Sequence, residues 1–452
     1  MDLKRLGDKN ILILGLGKEG ASTLKFLRKK YPQKIIGIAD KKRQNQLEGS
    51  IQKFIKRDRK LKLHLGRDYQ KLIKLYDVVF KSPGVQLTDS KSNKITSQTK
   101  MLFKLFKDKI IGVTGTKGKS TTASLIYKIL ADAKLKVKLV GNIGKPPFDY
   151  IDNSPKDTIF VYELSSYQLQ DLGESPHVAV FLNLFEEHLD YHGDYQSYKK
   201  AKANIAKWQK KEDLLIYNAD SDEVLKIIQG SNATKIPFST KMQLKTGAYL
   251  DKERIFYEGE KILKSNDAKL IGNFNLNNIL AAVAAAKLLN VPSASISSSI
   301  KSFKPLKHRL EYVGNYRGAK FYNDSIATVP EATIAALDAL APNVGTLIVG
   351  GYDRGLDFSK LSKKIIEDDV DNLILFPQTG EAVLDLIRKE NTRHLPKTFT
   401  VKNMVDAVKI ASKVTREGKV CLLSPAASSF NLFKNYEDRG QQFINEVNKL
   451  SY

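Results

Sequence analysis

Ile110-Ile111-Gly112-Val113-Thr114-Gly115-Thr116-Lys117-Gly118-Lys119-Ser120-Thr121-Thr122 decides the fold of this chain. The β-branched run Ile110 to Val113 predicts a buried strand. A glycine-containing turn follows, and apolar residues then recur at helical spacing through Ala123, Ile126 and Leu130. Strand, tight loop and helix start aim backbone N–H groups and the positive end of a helix dipole at one point, the geometry that holds phosphate. Lys119 can reach the β- and γ-phosphates, and the Ser120 or Thr121 hydroxyl can hold Mg2+. The stretch therefore predicts a nucleoside triphosphate site whose loop is Gly115, Thr116, Lys117 and Gly118. Position 113 is Val where the GxxxxGK[ST] pattern carries its first glycine, so the loop is of a shorter kind.

Around this stretch, composition sets the limits. The chain has 452 residues, too many for one core, so two to three domains are expected. Hydrophobic residues at 42% and charged residues at 27% are ordinary for a soluble globular protein. No apolar run reaches about 18 residues, so no membrane span is expected. Asp2 and Asp8 precede a short apolar run that ends in glycines, which argues against a cleaved signal peptide. The single cysteine, Cys421, sits in Val420-Cys421-Leu422-Leu423 and reads as a core thiol of a reducing, cytoplasmic protein. A net charge of +25 alone would suggest nucleic acid. The lysines are spread through all regions, however, with no RNA-binding aromatic motif or zinc-finger spacing. Attraction of polyanionic small substrates explains the charge more simply.

Strand and helix patterns alternate along the whole length, predicting an α/β protein of three domains, each on a mostly parallel sheet. The first, residues 1–107, opens with strand Ile11–Leu14 and the turn Gly15-Leu16-Gly17-Lys18-Glu19-Gly20. A helix to about Lys29 and a second strand, Lys34 to Ala39, lead to Asp40. This is a GxGxxG turn with an acidic residue about twenty positions on, where a nucleotide diphosphate or its ribose can sit. Val78-Val79-Phe80 then runs into the rigid turn Ser82-Pro83-Gly84. The second domain, 108–305, carries the phosphate loop. Its strands are expected at Lys136–Val140, Thr158–Glu163, Ala179–Leu184 and Leu214–Tyr217. Short antiparallel strands follow over Lys235–Asp267, and a helix over Asn277–Leu289. The third, 306–452, shows strands at Ala319–Tyr322, Thr346–Val349, Asn372–Phe376 and Lys419–Leu423, suggesting a second doubly wound sheet.

Four further clusters could carry chemistry. Glu163, at the end of a buried strand, is costly there unless it meets a cation or caps the strand end, so it is a candidate Mg2+ ligand. His188 lies in Asn183-Leu184-Phe185-Glu186-Glu187-His188-Leu189-Asp190-Tyr191-His192, again after a strand. A lone histidine is usually a surface residue, but two strand ends meeting a phosphate loop favour a metal site. Lys202 falls on the helical stripe of Tyr195, Tyr198 and Ile205, while Lys200 and Lys207 face the other way. A lysine on that face either snorkels to water or has lost its charge. The fourth cluster is Lys307-His308-Arg309, Asn323-Asp324-Ser325-Ile326-Ala327-Thr328, Gly350-Gly351-Tyr352-Asp353-Arg354 and Leu423 to Phe430. Its guanidinium and hydroxyl groups suit carboxylates and phosphates, or are ordinary loop polarity.

These segments, in this order and nearly end to end, resemble the Mur ligase superfamily, the ATP-dependent amide-bond ligases of cell-wall and folate assembly. The closest pattern is that of the members that add glutamate to UDP-N-acetylmuramoyl-L-alanine. Gly15–Gly20 with Asp40, Ser82-Pro83-Gly84, and the block from Leu423 to Gly440 carry that likeness. The resemblance implies a Rossmann-like first domain that binds UDP, with no NAD, through Leu16, Gly17, Asp40 and Gly84. Asn142 is implied at the UDP-sugar side. It further implies ATP and Mg2+ at Lys119, Ser120, Thr121, Glu163 and His188, with Lys202 carbamylated to help hold the second Mg2+. Asn275 and Asn278 match an adenine-side H-N-x-x-N motif whose histidine is here Phe274. Arg309 and Asp324 would reach ATP phosphate and ribose across a domain interface. Thr328, Arg354, Ser429, Phe430 and Tyr436 match positions lining a glutamate pocket. Ile326 and Arg354 replace usual lysines, which leaves D- against L-glutamate open. The implied partners are small-molecule substrates, with neither nucleic acid nor membrane, and a monomer is expected. A folylpolyglutamate synthase-like ligase would lack the first domain, and a nucleic-acid-dependent P-loop ATPase would have only the charge in its favour.

Overall fold

The computed structural model describes residues 6–87, 92–390 and 395–450; Asp2 lies outside them. Three sheets organise the described chain. The first joins β1 (Ile11–Leu14), β2 (Ile36–Asp40), β3 (Leu61–Leu65), β4 (Val78–Lys81) and β5 (Ile95–Thr96) in the order β3-β2-β1-β4-β5. All its pairings are parallel, with Ile11 opposite both Ile36 and Val78. Both β1 and β2 are buried along their whole length, which is why they read as continuous apolar runs. Helices α1 (Lys18–Lys30), α2 (Gly49–Arg57) and α3 (Gln98–Phe106) complete this lobe.

The second sheet has nine strands: β6 (Ile110–Thr114), β7 (Val137–Gly141), β8 (Ile159–Glu163), β9 (Val178–Phe181), β10 (Leu214–Asn218), β11 (Thr234–Ser239), β12 (Ala248–Asp251), β13 (Arg254–Tyr257) and β14 (Glu260–Lys264). Its order is β14-β13-β12-β11-β10-β9-β6-β8-β7. The stretch expected to hold only antiparallel strands divides: β11 pairs parallel with β10 and β12, and only the β12–β13–β14 turns are antiparallel. Its helices are α4 (Lys119–Asp132), α5 (Ser166–Gln170), α6 (Leu189–His192), α7 (Tyr195–Lys207), α8 (Asp222–Ile228), α9 (Asn273–Lys287) and α10 (Ser293–Ser302). The central strand β6 lies between β8 and β9, with Val113 opposite Glu163 and Thr114 opposite Phe181. Three neighbouring strands thus end together, and their loops share one edge.

The third sheet, in the order β15-β16-β20-β17-β18-β19, uses β15 (Glu311–Tyr316), β16 (Ala319–Asn323), β17 (Val344–Gly351), β18 (Asn372–Gln378), β19 (Lys397–Thr400) and β20 (Val420–Leu423). It is parallel except for β15 against β16. Helices α11 (Pro330–Leu340), α12 (Ser359–Glu367), α13 (Thr379–Lys389), α14 (Met404–Val414) and α15 (Tyr436–Lys449) cover it. Asn435 caps α15 by accepting from the Asp438 amide. Cys421 is fully buried in β20 beside Leu422 and Leu423, and burial pushes its thiol pKa up.

Contacts divide the chain into two compact units, the first running to Asp267 plus Asn277–Lys301, the second Ala268–Leu276 plus Ser302 onward. The first unit therefore contains both of the first two sheets, with the expected 107/108 boundary in the turn Lys107–Lys109. A polar seam holds these lobes together. Gln168 of α5 donates to Glu19 of α1 at 2.9 Å, and its amide oxygen caps α5 by accepting from the Ser165 N–H at 2.9 Å. Lys81 at the end of β4 pairs with Asp171 at 3.0 Å, and Ser22 donates to Asp149 at 2.6 Å. Burial raises the Glu19 carboxyl to about 7. Among the described residues no helix is long and apolar enough to cross a membrane.

Candidate active site

At the end of β6 the chain turns through Gly115 and Gly118 into α4. Gly118 holds φ +86°, a left-handed conformation that suits glycine, and its carbonyl starts the helix by accepting from Thr122. A side chain there would also strike Asn278, whose Oδ1 lies 2.3 Å from the Cβ position. Asn278 in turn accepts from the Thr122 hydroxyl at 3.1 Å, so it packs directly under the loop. The loop is braced a second time by Asn183, which accepts from Lys117 N at 2.9 Å and donates to Lys117 O at 3.1 Å.

Several of the expected residues converge on this edge. Ser120 Oγ stands 3.1 Å from each Glu163 oxygen, and Glu163, 2% exposed, also accepts from the Ile143 amide at 2.9 Å. Asn142, exposed on the loop after β7, is the residue before Ile143. Lys119 Nζ folds back onto Gly115 O at 3.0 Å and Thr116 O at 2.9 Å. Lys202, 1% exposed, donates to the same Gly115 oxygen at 2.8 Å, with its ammonium 5.1 Å from the Tyr198 ring centre. The snorkelling alternative for Lys202 is thereby excluded. Burial first, and Lys119 second, push its amine well below the usual lysine range. His188 holds a left-handed φ of +59°, with Nε2 3.8 Å from Glu187, and Glu187 pairs with Lys117. Burial lowers the His188 pKa, which favours the neutral imidazole a metal ion needs. Thr116 lies buried with its hydroxyl donating to Phe185 O at 3.2 Å, and Thr121 Oγ1 is buried without a hydrogen-bond partner. The side chain of Asp190 lies outside what is described.

Among the described residues no three His, Cys, Asp or Glu side chains form a ready metal cage. Mg2+ does not require one, since it keeps waters and takes one or two carboxylates plus substrate phosphates. The adjoining Ser120 hydroxyl and Glu163 carboxylate are hard oxygen donors of that kind, so the residues present fit Mg2+.

In the first lobe, Leu16 N–H donates to Asp40 Oδ2 at 2.7 Å, which places the acidic residue against the glycine turn. Gly17 precedes α1 and Gly84 is exposed in the turn after β4; both leave open space where a side chain would stand. The Ser82 hydroxyl ties the two turns by donating to Gly15 O at 2.7 Å.

The second unit gathers its polar residues where β16, β20 and β17 end. Asp324, 5% exposed, accepts from Leu310 N at 3.2 Å and Ser424 Oγ at 2.8 Å, and burial raises its carboxyl to about 7. Tyr352 N donates to Ser428 O at 2.8 Å, bringing the Arg354 loop beside Ser429. Arg354 and Phe430 are exposed, Ser429 is buried, and Thr328 and Tyr436 are half-buried. Arg309 is half-buried with Nε unpartnered. Asn275 donates to Ile271 O at 2.7 Å, and Phe274 is 38% exposed. Asn183, Gln168 and Arg439 were not singled out from sequence, because each has a partner brought near only by folding.

Three family profiles match: Mur ligase MurD-like N-terminal domain over residues 9–102, Mur ligase middle domain over 113–286, and Mur ligase glutamate ligase domain over 308–427. The chain belongs to the Mur ligase family, whose members are ATP-dependent. Among its curated relatives, UDP-N-acetylmuramoylalanine–D-glutamate ligase of Oceanobacillus iheyensis is 36% identical over 452 residues, 98% of each chain. The enzyme of that name from Bacillus mycoides is 35% identical over 448 residues, again 98% of each. Solved structures share the fold. UDP-N-acetylmuramate-alanine ligase MurC from Thermotoga maritima aligns over 98% of this chain and 99% of its own at 16% identity and a TM-score of 0.61. A pseudomurein peptide ligase type C from Methanothermus fervidus covers 97% and 100% at 18% identity and a TM-score of 0.60.

Proposed function

We propose that this chain is an ATP-dependent ligase that adds D-glutamate to UDP-N-acetylmuramoyl-L-alanine in peptidoglycan precursor synthesis. The substrate assignment rests on full-length kinship with ligases of that name. The observation that carries the chemistry is the Ser120 hydroxyl set against both Glu163 oxygens in the first turn after the phosphate loop.

Gly115, Thr116, Lys117, Gly118 and the α4 amides receive the ATP phosphates, and Lys119 leaves its backbone carbonyls to pair with them. Ser120 and Glu163 hold one Mg2+; His188 and a carbamylated Lys202, whose added group turns a desolvated amine into a carboxylate, hold a second. Bound there, Mg2+ supplies charge screening between two anions. Asn275, Asn278, Arg309 and Asp324 serve ATP; Leu16, Gly17, Asp40, Gly84 and Asn142 serve the UDP-sugar. Thr328, Arg354, Ser429, Phe430 and Tyr436 serve glutamate. The substrate carboxylate attacks the γ-phosphorus, forming an acyl phosphate and releasing ADP. The glutamate amine then attacks the acyl carbon, and phosphate leaves from the tetrahedral intermediate as the amide forms. The domains are divided at 107/108 and 305/306, the protein acts as a monomer, and the reaction belongs to the cytoplasm.

Phosphate release with ATP, Mg2+ and UDP-N-acetylmuramoyl-L-alanine tests this reading with D- and L-glutamate in parallel. Release that needs the UDP-sugar and D-glutamate is the expected result. Preference for L-glutamate would keep the ligase and place the change at Ile326 and Arg354; no release with either would overturn the substrate assignment.

A further inference from the structure

Arg439 is the largest of the fully buried side chains, at 0% exposure. It lies one turn into α15, and its guanidinium points back into the loops at the edge of the third sheet. Nε donates to Ser325 Oγ at 3.0 Å, Nη2 to Ser325 O at 2.9 Å, and Nη1 to Ala427 O at 3.1 Å. Ser325 Oγ passes the connection on by donating to Tyr436 O at 2.8 Å. One side chain thus joins three segments far apart in sequence: the turn after β16, the loop after β20 and the start of α15. Thr328, Ser429 and Tyr436 lie on those three segments.

The chemistry of the contacts is informative. Every acceptor is a neutral oxygen, two of them backbone carbonyls. Asp324 is the carboxylate whose field favours the charged guanidinium, but its own hydrogen bonds go to Leu310 N and Ser424. A buried guanidinium held only by neutral oxygens is expensive. A hydrophobic residue of similar size would pack as well, so packing alone does not explain an arginine. Its planar fork can bind two loops in fixed register, and its charge favours an anion bound nearby. At Gly351, a Cβ would lie 2.3 Å from Ser428 O and 3.4 Å from Arg439 Nη1, so the Tyr352 loop closes on the same cluster.

We propose that Arg439 is a positioning residue for the acidic amino-acid substrate: it clamps the Ser325–Thr328 and Ala427–Phe430 loops together and gives the pocket between them a positive field. This rests on the glutamate ligase reading above. Because the guanidinium is sealed from solvent, it acts through these loops and does not touch substrate.

The test compares wild type with Arg439→Lys, which keeps the charge but loses the fork, and Arg439→Met, which loses both. Initial rates give separate KM values for D-glutamate, ATP and UDP-N-acetylmuramoyl-L-alanine, with thermal unfolding as a check. The expected result for Arg439→Met is a D-glutamate KM raised about 10- to 100-fold, with the other two KM values within about twofold. Arg439→Lys falls between, and the preference for D- over L-glutamate narrows in both. Should Arg439→Met fail to fold, Ser325→Ala removes one acceptor and the link to Tyr436, and is expected to raise the same KM alone by several-fold. Unchanged glutamate KM in folded variants, or a loss of kcat with no KM selective for glutamate, overturns the inference. Wild type that turns over with no glutamate dependence overturns the ligase reading itself, which separates the two failures.

Discussion

The edge of the second sheet and the edge of the third solve one problem, placing charge on neighbouring strand ends, in opposite ways. At the phosphate loop, the working groups come from one continuous stretch and two adjacent strand ends. Lys119 and Lys202 are both held on the Gly115 oxygen, the second of them desolvated. In the second unit, no single stretch dominates. Asp324 and Arg439 are buried and fixed by neutral partners, and the loops around them are assembled from distant segments. A site built on one loop depends on a few side chains for its chemistry, whereas an assembled one depends on what holds its loops in register.

The largest effect expected from this contrast is at the first edge. Lys119→Ala and Glu163→Ala should each lower turnover by more than about a thousandfold while unfolding temperatures change little. Near-normal rates in either would break the picture of a site carried by its own loop. Lys202→Met comes next. It removes a desolvated amine at similar volume, so turnover should fall by about a hundredfold while thermal stability holds or rises. A marked loss of stability with full activity would make Lys202 a structural lysine. The smallest effect belongs to the second edge. The Asp324 carboxyl is raised from 3.8 to about 7, so the folded state holds a proton that the unfolded state has released. Its contribution is complete at low pH and declines as pH climbs through that window. Asp324→Asn should flatten the corresponding slope in unfolding midpoints measured across pH 4 to 8; an unaltered slope would assign it elsewhere.

The same contrast governs what the sequence reveals. The stretch from Ile110 to Thr122 announces strand, loop and helix because all three signals are local, and β6, Gly118 and α4 stand where they were expected. Helical spacing set Lys202 on the stripe of Tyr198 and Ile205 but left open whether its amine reached water; all three are buried. Strand β3 escaped notice because Leu61-Lys62-Leu63-His64-Leu65 is an edge strand, with a half-exposed face and short pattern. Strand β19, Lys397–Thr400, did so for the same reason. Asn183 and Arg439 carry no local mark at all, since asparagine and arginine in loops and helices are common, and their partners lie far along the chain.

One side chain also limits how freely the parts of this protein could be exchanged with those of a relative. Gln168 completes the cap of α5, the short helix just beyond Glu163, and at the same time reaches into the first lobe to Glu19. A graft of the first sheet from another ligase would arrive without a matching acid at that position unless it carried its own. The first two lobes therefore form a fitted pair, and a successful chimera would have to cut beyond Gln168 or bring Glu19 with it.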